Sequence, residues 1–300
     1  LYESAFGLTE KPFSLTPDPD FLFLSESHQQ ALDHLMFGLE SGDGFIVVTG
    51  DVGVGKTTVC RALLRRLSDR YVTSVVLNPM LTEKELIRGI LEDFGASCTT
   101  GGTKKDHLDA LDRFLLASAE AGRRPVLIVD EAQDLTPSLL EQVRLLSNLE
   151  TEKRKLIQIV LIGQAELNDK LSMHELRQLD QRVTVRARIL PLDRKAMRRY
   201  VDHRLSVAGA GGRQLVTDGA EAALHRFSGG VPRVVNMLCD RAFLSASLRN
   251  APAIDRADVR RAADSIFDRG WRFRRMLKTF PKAAAALAGL AAIARSGRGA

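Results

Sequence analysis

Cysteine is scarce in this 300-residue chain. Cys60, Cys98 and Cys239 are the only three, far apart and with no C-x-x-C pair, which argues against a disulfide framework or a zinc site and fits a reducing cytosol. The six histidines, His28, His34, His107, His174, His203 and His225, lack metal-ligand spacing and read as surface or core residues. Long apolar runs are also missing. The longest, Ala283 to Ala294, has 12 residues, too short to span a bilayer, though it could lie on a surface or pack into a partner. The N-terminus is acidic and proline-bearing rather than basic and then apolar, so no signal peptide is read. The chain opens on Leu1 where a Met is expected, which an unusual start codon or a trimmed start would explain. There is no internal repeat.

Acidic residues are absent after Asp268, where Arg269, Arg272, Arg274, Arg275, Lys278, Lys282, Arg295 and Arg298 fall. The formal net charge of +6 therefore belongs to this tail, and the remainder is slightly acidic. Apolar content of 45% and charged content of 27% are those of a globular protein. The length favours one large core with a smaller appended domain.

What is present begins with Gly50-Asp51-Val52-Gly53-Val54-Gly55-Lys56-Thr57, which matches G-x-x-x-x-G-K-[ST] and directly follows the apolar run Phe45 to Thr49. Glycines let backbone N–H groups converge on phosphate oxygens, Lys56 reaches the outer phosphates, and the Thr57 hydroxyl is placed to ligate Mg²⁺. Thr58 continues the cradle, and helix-forming residues from Thr57 to Arg70 set a positive helix terminus beneath the phosphates.

The rest of the chain alternates. Pro12, Pro17 and Pro19 among Phe6, Phe13, Phe21 and Phe23 predict an extended segment pinned by aromatics, followed by a helix over 27–39. Val72 to Leu77 reads as a strand broken by Asn78-Pro79. Thr82-Glu83-Lys84-Glu85 is a capping box opening a helix to about Phe94, and 95–103 is a small-residue loop before a helix over 104–121. Val126 to Val129, Leu156 to Ile162 and Val183 to Leu190 read as strands, with a helix starting at Pro137 between the first two. This pattern predicts an α/β parallel sheet. Past Pro191 the strands stop, and helices over 193–208, 217–227, 232–248 and 256–267 predict an all-helical second domain.

The strand Val126 to Val129 runs into Asp130-Glu131. Two acids at a strand end are ordinary in isolation; downstream of a phosphate cradle they match what a Mg-dependent nucleotide hydrolase requires. Asp130 would hold the metal through water, and Glu131 would orient and polarise the attacking water. No N-K-x-D guanine signature occurs, so ATP is favoured over GTP. Gln164 follows the next strand, beside the expected γ-phosphate, where an amide can position water or sense phosphate. Arg182 precedes the last strand and could reach a neighbouring subunit's γ-phosphate. Arg233, in Gly229-Gly230-Val231-Pro232-Arg233, opens a helix of the second domain, where a cation aimed at phosphate would couple nucleotide state to lid angle.

Together these positions resemble an AAA+ ATPase, a P-loop NTPase fold with a small helical lid. The resemblance implies Walker A at Lys56 and Thr57, Walker B at Asp130 and Glu131, sensor 1 at Gln164, the arginine finger at Arg182 and sensor 2 at Arg233. Gln164 departs from the more usual Asn, Thr or Ser. A narrower resemblance covers most of the first 270 residues. Tyr2 to Phe6, Lys11 to Pro19, Arg144 to Glu150 and Leu161 to Leu167 are similar to the bacterial general secretion pathway protein A (ExeA-type) ATPases, with Ala165 where that family commonly has Pro. That likeness implies an N-terminal segment near the adenine, with Pro12, Phe13 and His28 as base-contact candidates. Those proteins continue into a membrane helix and a peptidoglycan-binding region, so this chain looks more like short forms encoded with exopolysaccharide and PEP-CTERM/exosortase loci.

The expected organisation is an N-terminal segment and helix over 1–38 contributing to the nucleotide pocket, an ATPase core over 39–190, a helical lid over 191–268 and a basic, Ala-rich tail over 269–300. The expected activity is Mg-dependent ATP hydrolysis, with ATP and Mg²⁺ as cofactors and shared sites in a homo-oligomer. It would serve as a switch or assembly factor for envelope export, in the cytoplasm or peripheral at the inner membrane, with Trp271, Phe273, Phe280 and the basic tail engaging a membrane surface or membrane partner. A DNA-associated ATPase of the transposition or replication-initiation type is the alternative, since the tail suits phosphates equally well. The tail could also be a basic extension with no partner. A small-molecule kinase is disfavoured by the helical lid and the arginine positions.

Overall fold

A computed structural model describes residues 2–16, 18–77, 80–97, 101–150 and 155–267. These fall into two units: residues 22–192 with 231–233, and residues up to 21 with 193–230 and 234 onward.

In the first unit α1 (Glu26–Ser41) leads into β1 (Phe45–Gly50), α2 (Lys56–Arg66) and β2 (Tyr71–Val76). Then follow α3 (Glu83–Asp93), α4 (Lys104–Glu120), β3 (Arg124–Val129), α5 (Pro137–Leu146), β4 (Gln158–Gly163), α6 (Glu166–Leu171), α7 (Arg177–Asp180) and β5 (Val183–Ile189). The five strands form one sheet in the order β2-β3-β4-β1-β5, and every pairing is parallel. Each strand of β1 and β4 is fully buried because helices cover both faces. The pleat divides their side chains. Phe45, Val47, Leu127, Val129, Ile159 and Leu161 pack with α3, α4 and α5, whereas Ile46, Val48, Val126, Ile128, Val160 and Ile162 pack with α1 and α2. Each such burial contributes about 1.5–3 kcal/mol, which fixes the register, since a one-residue slip would exchange the two sets.

The capping box expected at Thr82 forms: the Thr82 hydroxyl accepts from the Glu85 N–H, and the Glu85 carboxylate accepts from the Thr82 N–H at 2.8 Å. Pro137 occupies the first turn of α5. The helix expected to reach Arg70 ends at Arg66. Leu67 turns extended there, and Ser68 accepts from the Tyr71 N–H in the turn that launches β2. α6 and α7, both short, were not anticipated.

The second unit contains α8 (Arg194–Val207), α9 (Asp218–Ser228), most of α10 (Pro232–Ser247) and α11 (Arg256–Ile266). The N-terminal segment belongs to it. Phe243 of α10 is fully buried among Tyr2 and Phe13, both stacked at 5.6 Å, and Phe6, edge-on at 4.9 Å. Arg204 of α8 donates to the Pro12 and Ser14 carbonyls and lies over the Phe21 ring. The stretch read as one segment, 1–38, therefore divides after Phe21: its aromatics are drawn to Phe243, and α1 to the sheet. The tail 269–300 with Trp271, Phe273, Phe280 and the run 283–294 lies outside the described residues, as do Cys98 and Pro17.

Candidate functional site

The parallel sheet collects its strand ends at one edge. β1 ends in Gly50, β3 is followed by Asp130-Glu131 and β4 ends in Gly163 before Gln164, with Val129 level with Leu161 and Thr49 level with Gly163. A parallel α/β sheet binds its ligands outside this carboxyl edge.

From Gly50 the chain turns through exposed Asp51 and Val52, and then Val54 folds inward to complete burial. Gly53 and Gly55 hold φ of +79° and +105°, which L side chains rarely adopt. Their packing leaves no room either. A methyl on Gly53 would lie 2.7 Å from Arg233 Cβ, and one on Gly55 would lie 2.6 Å from His28 Nε2. α2 opens on Gly55 with no side-chain cap and no acid in its first turn. Its first N–H groups are thus directed at whatever anion the loop encloses.

Lys56 is buried, and its ammonium donates to the Gly50 carbonyl at 3.2 Å and the Asp51 carbonyl at 3.5 Å, closing the loop on itself. The Thr57 hydroxyl donates to Asp130 Oδ2 at 2.9 Å, joining α2 to the end of β3. Thr58 follows, half-buried, in the first turn. Hydroxyl and carboxylate oxygens brought together in this way suit a hard divalent cation such as Mg²⁺, which takes one or two protein oxygens and completes its shell with phosphate and water. No dedicated cage of three or more His, Cys, Asp or Glu side chains occurs among the described residues. Cys60, one turn along α2, is a buried thiol whose pKa is pushed up to about 12, by burial first and by Asp130 second, so it stays protonated.

Asp130 is also buried, and its Oδ1 accepts from the Glu131 N–H at 2.9 Å. Glu131 itself holds φ of +51°, shared among non-glycine residues only by Asn250 within the described residues. Such a conformation costs about 1–3 kcal/mol and recurs where function demands it. It turns the Glu131 carboxylate to Gln133, whose Nε2 donates to Glu131 Oε2 at 2.9 Å. The Gln164 N–H donates to Gln133 Oε1, also at 2.9 Å. Gln133 gave no sequence signal, because one of its partners is the Gln164 N–H just past the end of β4, 31 residues away.

Arg233 meets the cradle directly, its N–H donating to the Gly53 carbonyl at 3.2 Å while its side chain is exposed. Arg182 does not join this group. It precedes Val183, which is level with Phe45 at the start of β1, whereas Ile189 is level with Gly50. At about 3.3 Å per residue, Arg182 stands about 20 Å from the cradle across the sheet. There its guanidinium donates to Ser147 Oγ at 2.8 Å, beside the Arg144–Glu141 ion pair.

Of the three base-contact candidates, His28 has both ring nitrogens engaged. Nδ1 accepts from the Ser25 N–H at 3.1 Å, and Nε2 donates to the Val54 carbonyl at 2.7 Å. Phe13 is buried against Phe243, which corrects the expectation that its ring is open to a base. Pro12 lends its carbonyl to Arg204.

Comparison with known proteins agrees with this geometry. Residues 39–171 match the AAA domain family. The chain is 46% identical over 266 residues to general secretion pathway protein A of Aeromonas hydrophila, an alignment covering 89% of this chain and 48% of that one. It thus spans about half the length of that relative. Among solved structures it is similar in fold to Cdc6p of Pyrobaculum aerophilum, with a TM-score of 0.67, 19% identity, and 85% and 70% of the two chains covered. A RuvB mutant from Thermotoga maritima gives a TM-score of 0.56 at 19% identity, covering 89% and 80%. The fold is thus a P-loop AAA fold with a C-terminal helical region. No helix among the described residues is long and apolar enough to cross a membrane.

Proposed function

Starting from an AAA-domain chain related to general secretion pathway protein A, we propose that it binds and hydrolyses ATP with Mg²⁺ and uses that cycle as a switch or assembly factor in envelope secretion. The observation that carries the reading is the contact of the Thr57 hydroxyl with Asp130 at 2.9 Å, with Glu131 beside it at the same sheet edge.

In this mechanism the uncapped N–H groups of α2 and the Lys56 ammonium hold the phosphates, Lys56 exchanging its loop carbonyls for phosphate oxygens. Thr57 and Asp130 would hold Mg²⁺, which when bound neutralises charge on the β- and γ-phosphates. Glu131 accepts a hydrogen bond from the attacking water and polarises it, while Gln164 faces the γ-phosphate from the end of β4. Arg233, in the first turn of α10 and fixed against Gly53, couples the nucleotide state to that helix. Arg182, at the far edge of the sheet, serves the site of a neighbouring subunit in a homo-oligomer. The Aeromonas relative's name supports secretion as the setting, and polysaccharide export is the client we propose.

Glu131→Gln tests the chemistry. ATP affinity is expected to stay within about threefold while turnover drops at least about 100-fold; unchanged turnover would remove Glu131 from water activation. Adding anionic vesicles or duplex DNA to the wild-type ATPase assay tests the setting. Stimulation by vesicles supports the secretion reading, and salt-sensitive stimulation by DNA alone would sink it.

A further inference from the structure

Accepting ATP hydrolysis as the reaction leaves open what aims the Glu131 carboxylate. Glu131 is half-buried at the end of β3, in a left-handed conformation that no glycine provides. Its Oε2 is held by the Nε2 of Gln133 at 2.9 Å. The same amide turns its Oε1 to the Gln164 N–H at 2.9 Å. The chemistry permits one orientation: a backbone N–H needs the amide oxygen, and carboxylates need the amide NH₂. Asp134 Oδ2 takes the second hydrogen of that NH₂ at 3.2 Å.

The backbone beneath the amide is tied to the same neighbours. Lys170 of α6 donates to the carbonyls of Gln133 at 2.5 Å and Leu135 at 2.7 Å. α6 starts at Glu166, two residues after Gln164. Fit is close on the other side as well, since a methyl on Gly163 would lie 3.0 Å from Gln133 Oε1. The Gly163-Gln164 backbone, the Gln133 amide and the Glu131 carboxylate therefore form one hydrogen-bonded line from the end of β4 to the end of β3.

We propose that Gln133 is the positioning residue of this site, a single amide that orients Glu131 and passes to it any displacement of the Gln164 backbone by the γ-phosphate. This rests on the ATPase reading above. In this role Gln133 acts on the reaction through Glu131, the carboxylate its amide holds.

The test is a cycle of Gln133→Met, Glu131→Gln and the double variant in the full chain, read by single-turnover ATP hydrolysis, ATP and ADP affinity, and thermal midpoint. Methionine keeps the length of the side chain and drops all three hydrogen bonds of the amide. Gln133→Met is expected to lower the hydrolysis rate about tenfold or more, with nucleotide affinity within about twofold and an unchanged midpoint. Within the Glu131→Gln background the same substitution should change the residual rate less than about twofold. A wild-type rate in Gln133→Met overturns the proposal, as does an equal loss in both backgrounds or a loss matched by a fallen midpoint. A wild-type chain with no Mg-dependent turnover, or a Glu131→Gln variant that turns over normally, would instead overturn the ATPase reading and this inference with it.

Discussion

His28 Nε2 donates to the carbonyl of Val54 at 2.7 Å, so the first turn of α1 holds the phosphate cradle in place from 26 residues away. The same imidazole caps its own helix, with Nδ1 accepting from Ser25. One neutral tautomer satisfies both bonds. A protonated ring would set an N–H against the Ser25 N–H.

Burial lowers the pKa of His28 below its ordinary 6.5, and the Val54 carbonyl offsets this only in part. The unfolded chain therefore takes up the proton first. The contribution of His28 to stability is full above about pH 6.5 and is lost as pH falls from there toward the lowered folded value. His28→Ala should cost about 1–2 kcal/mol at pH 7.5 and flatten the stability loss between pH 6.5 and 5. Chemical denaturation of both proteins across that range checks it, and parallel slopes would separate His28 from the effect.

Lys56→Ala should abolish ATP binding, measured by calorimetry. Arg182→Ala should bind ATP normally, since its backbone lies about 20 Å along β5 from its own cradle, and should lose at least about tenfold in turnover if it serves a neighbour's site. Mixing the two variants should restore part of the activity, since a Lys56→Ala subunit offers an intact Arg182 to the site of its neighbour. Mixtures no more active than the sum of their parts would argue against a shared site.

Asp258, fully buried in the helical unit, accepts from Arg249 at 2.5 Å, Arg261 at 2.6 Å, Ser245 at 2.9 Å and the Asp255 N–H at 3.1 Å. Burial alone would raise its pKa, but the hydrogen bonds from Arg249, the Asp255 backbone, Arg261 and Ser245 outweigh it and hold the carboxyl near about 2. That contribution is present above the ordinary 3.8 and is lost as pH falls to about 2. Asp258→Asn should cost about 2–3 kcal/mol at neutral pH, because Arg261 loses the carboxylate it pairs with and Arg249 keeps only Asp255. Acid titration of unfolding should then show a weaker dependence below pH 4 than in the wild type.

Most of this architecture was legible because it rests on local chemistry. Apolar runs stopped by Gly50, Asn78-Pro79, Asp130 and Gly163 marked four of the strands, Thr82 and Pro137 marked helix starts, and the cradle announced its own geometry. Illegible parts depend on distant partners. Nothing near Gln133 points to the Gln164 N–H, nothing near His28 points to Val54, and Glu131 takes a positive φ without a glycine to signal it. α6, six residues without a side-chain cap, is too short for a periodic pattern. Residues 67–70 end α2 although each is compatible with helix, because β2 must begin level with Arg124. The aromatics of the N-terminal segment were recognised as anchors, but their anchorage on Phe243 was not.

If Arg182 serves a neighbour's site as proposed, its place at the opposite end of β5 from the cradle would make each subunit a donor on one side and a recipient on the other. In an open row of such subunits one terminal cradle always lacks its donor, and only a closed ring removes that deficit. Activity per subunit would then report on closure. A partner that seals or breaks the ring could switch the ATPase without ever touching a nucleotide.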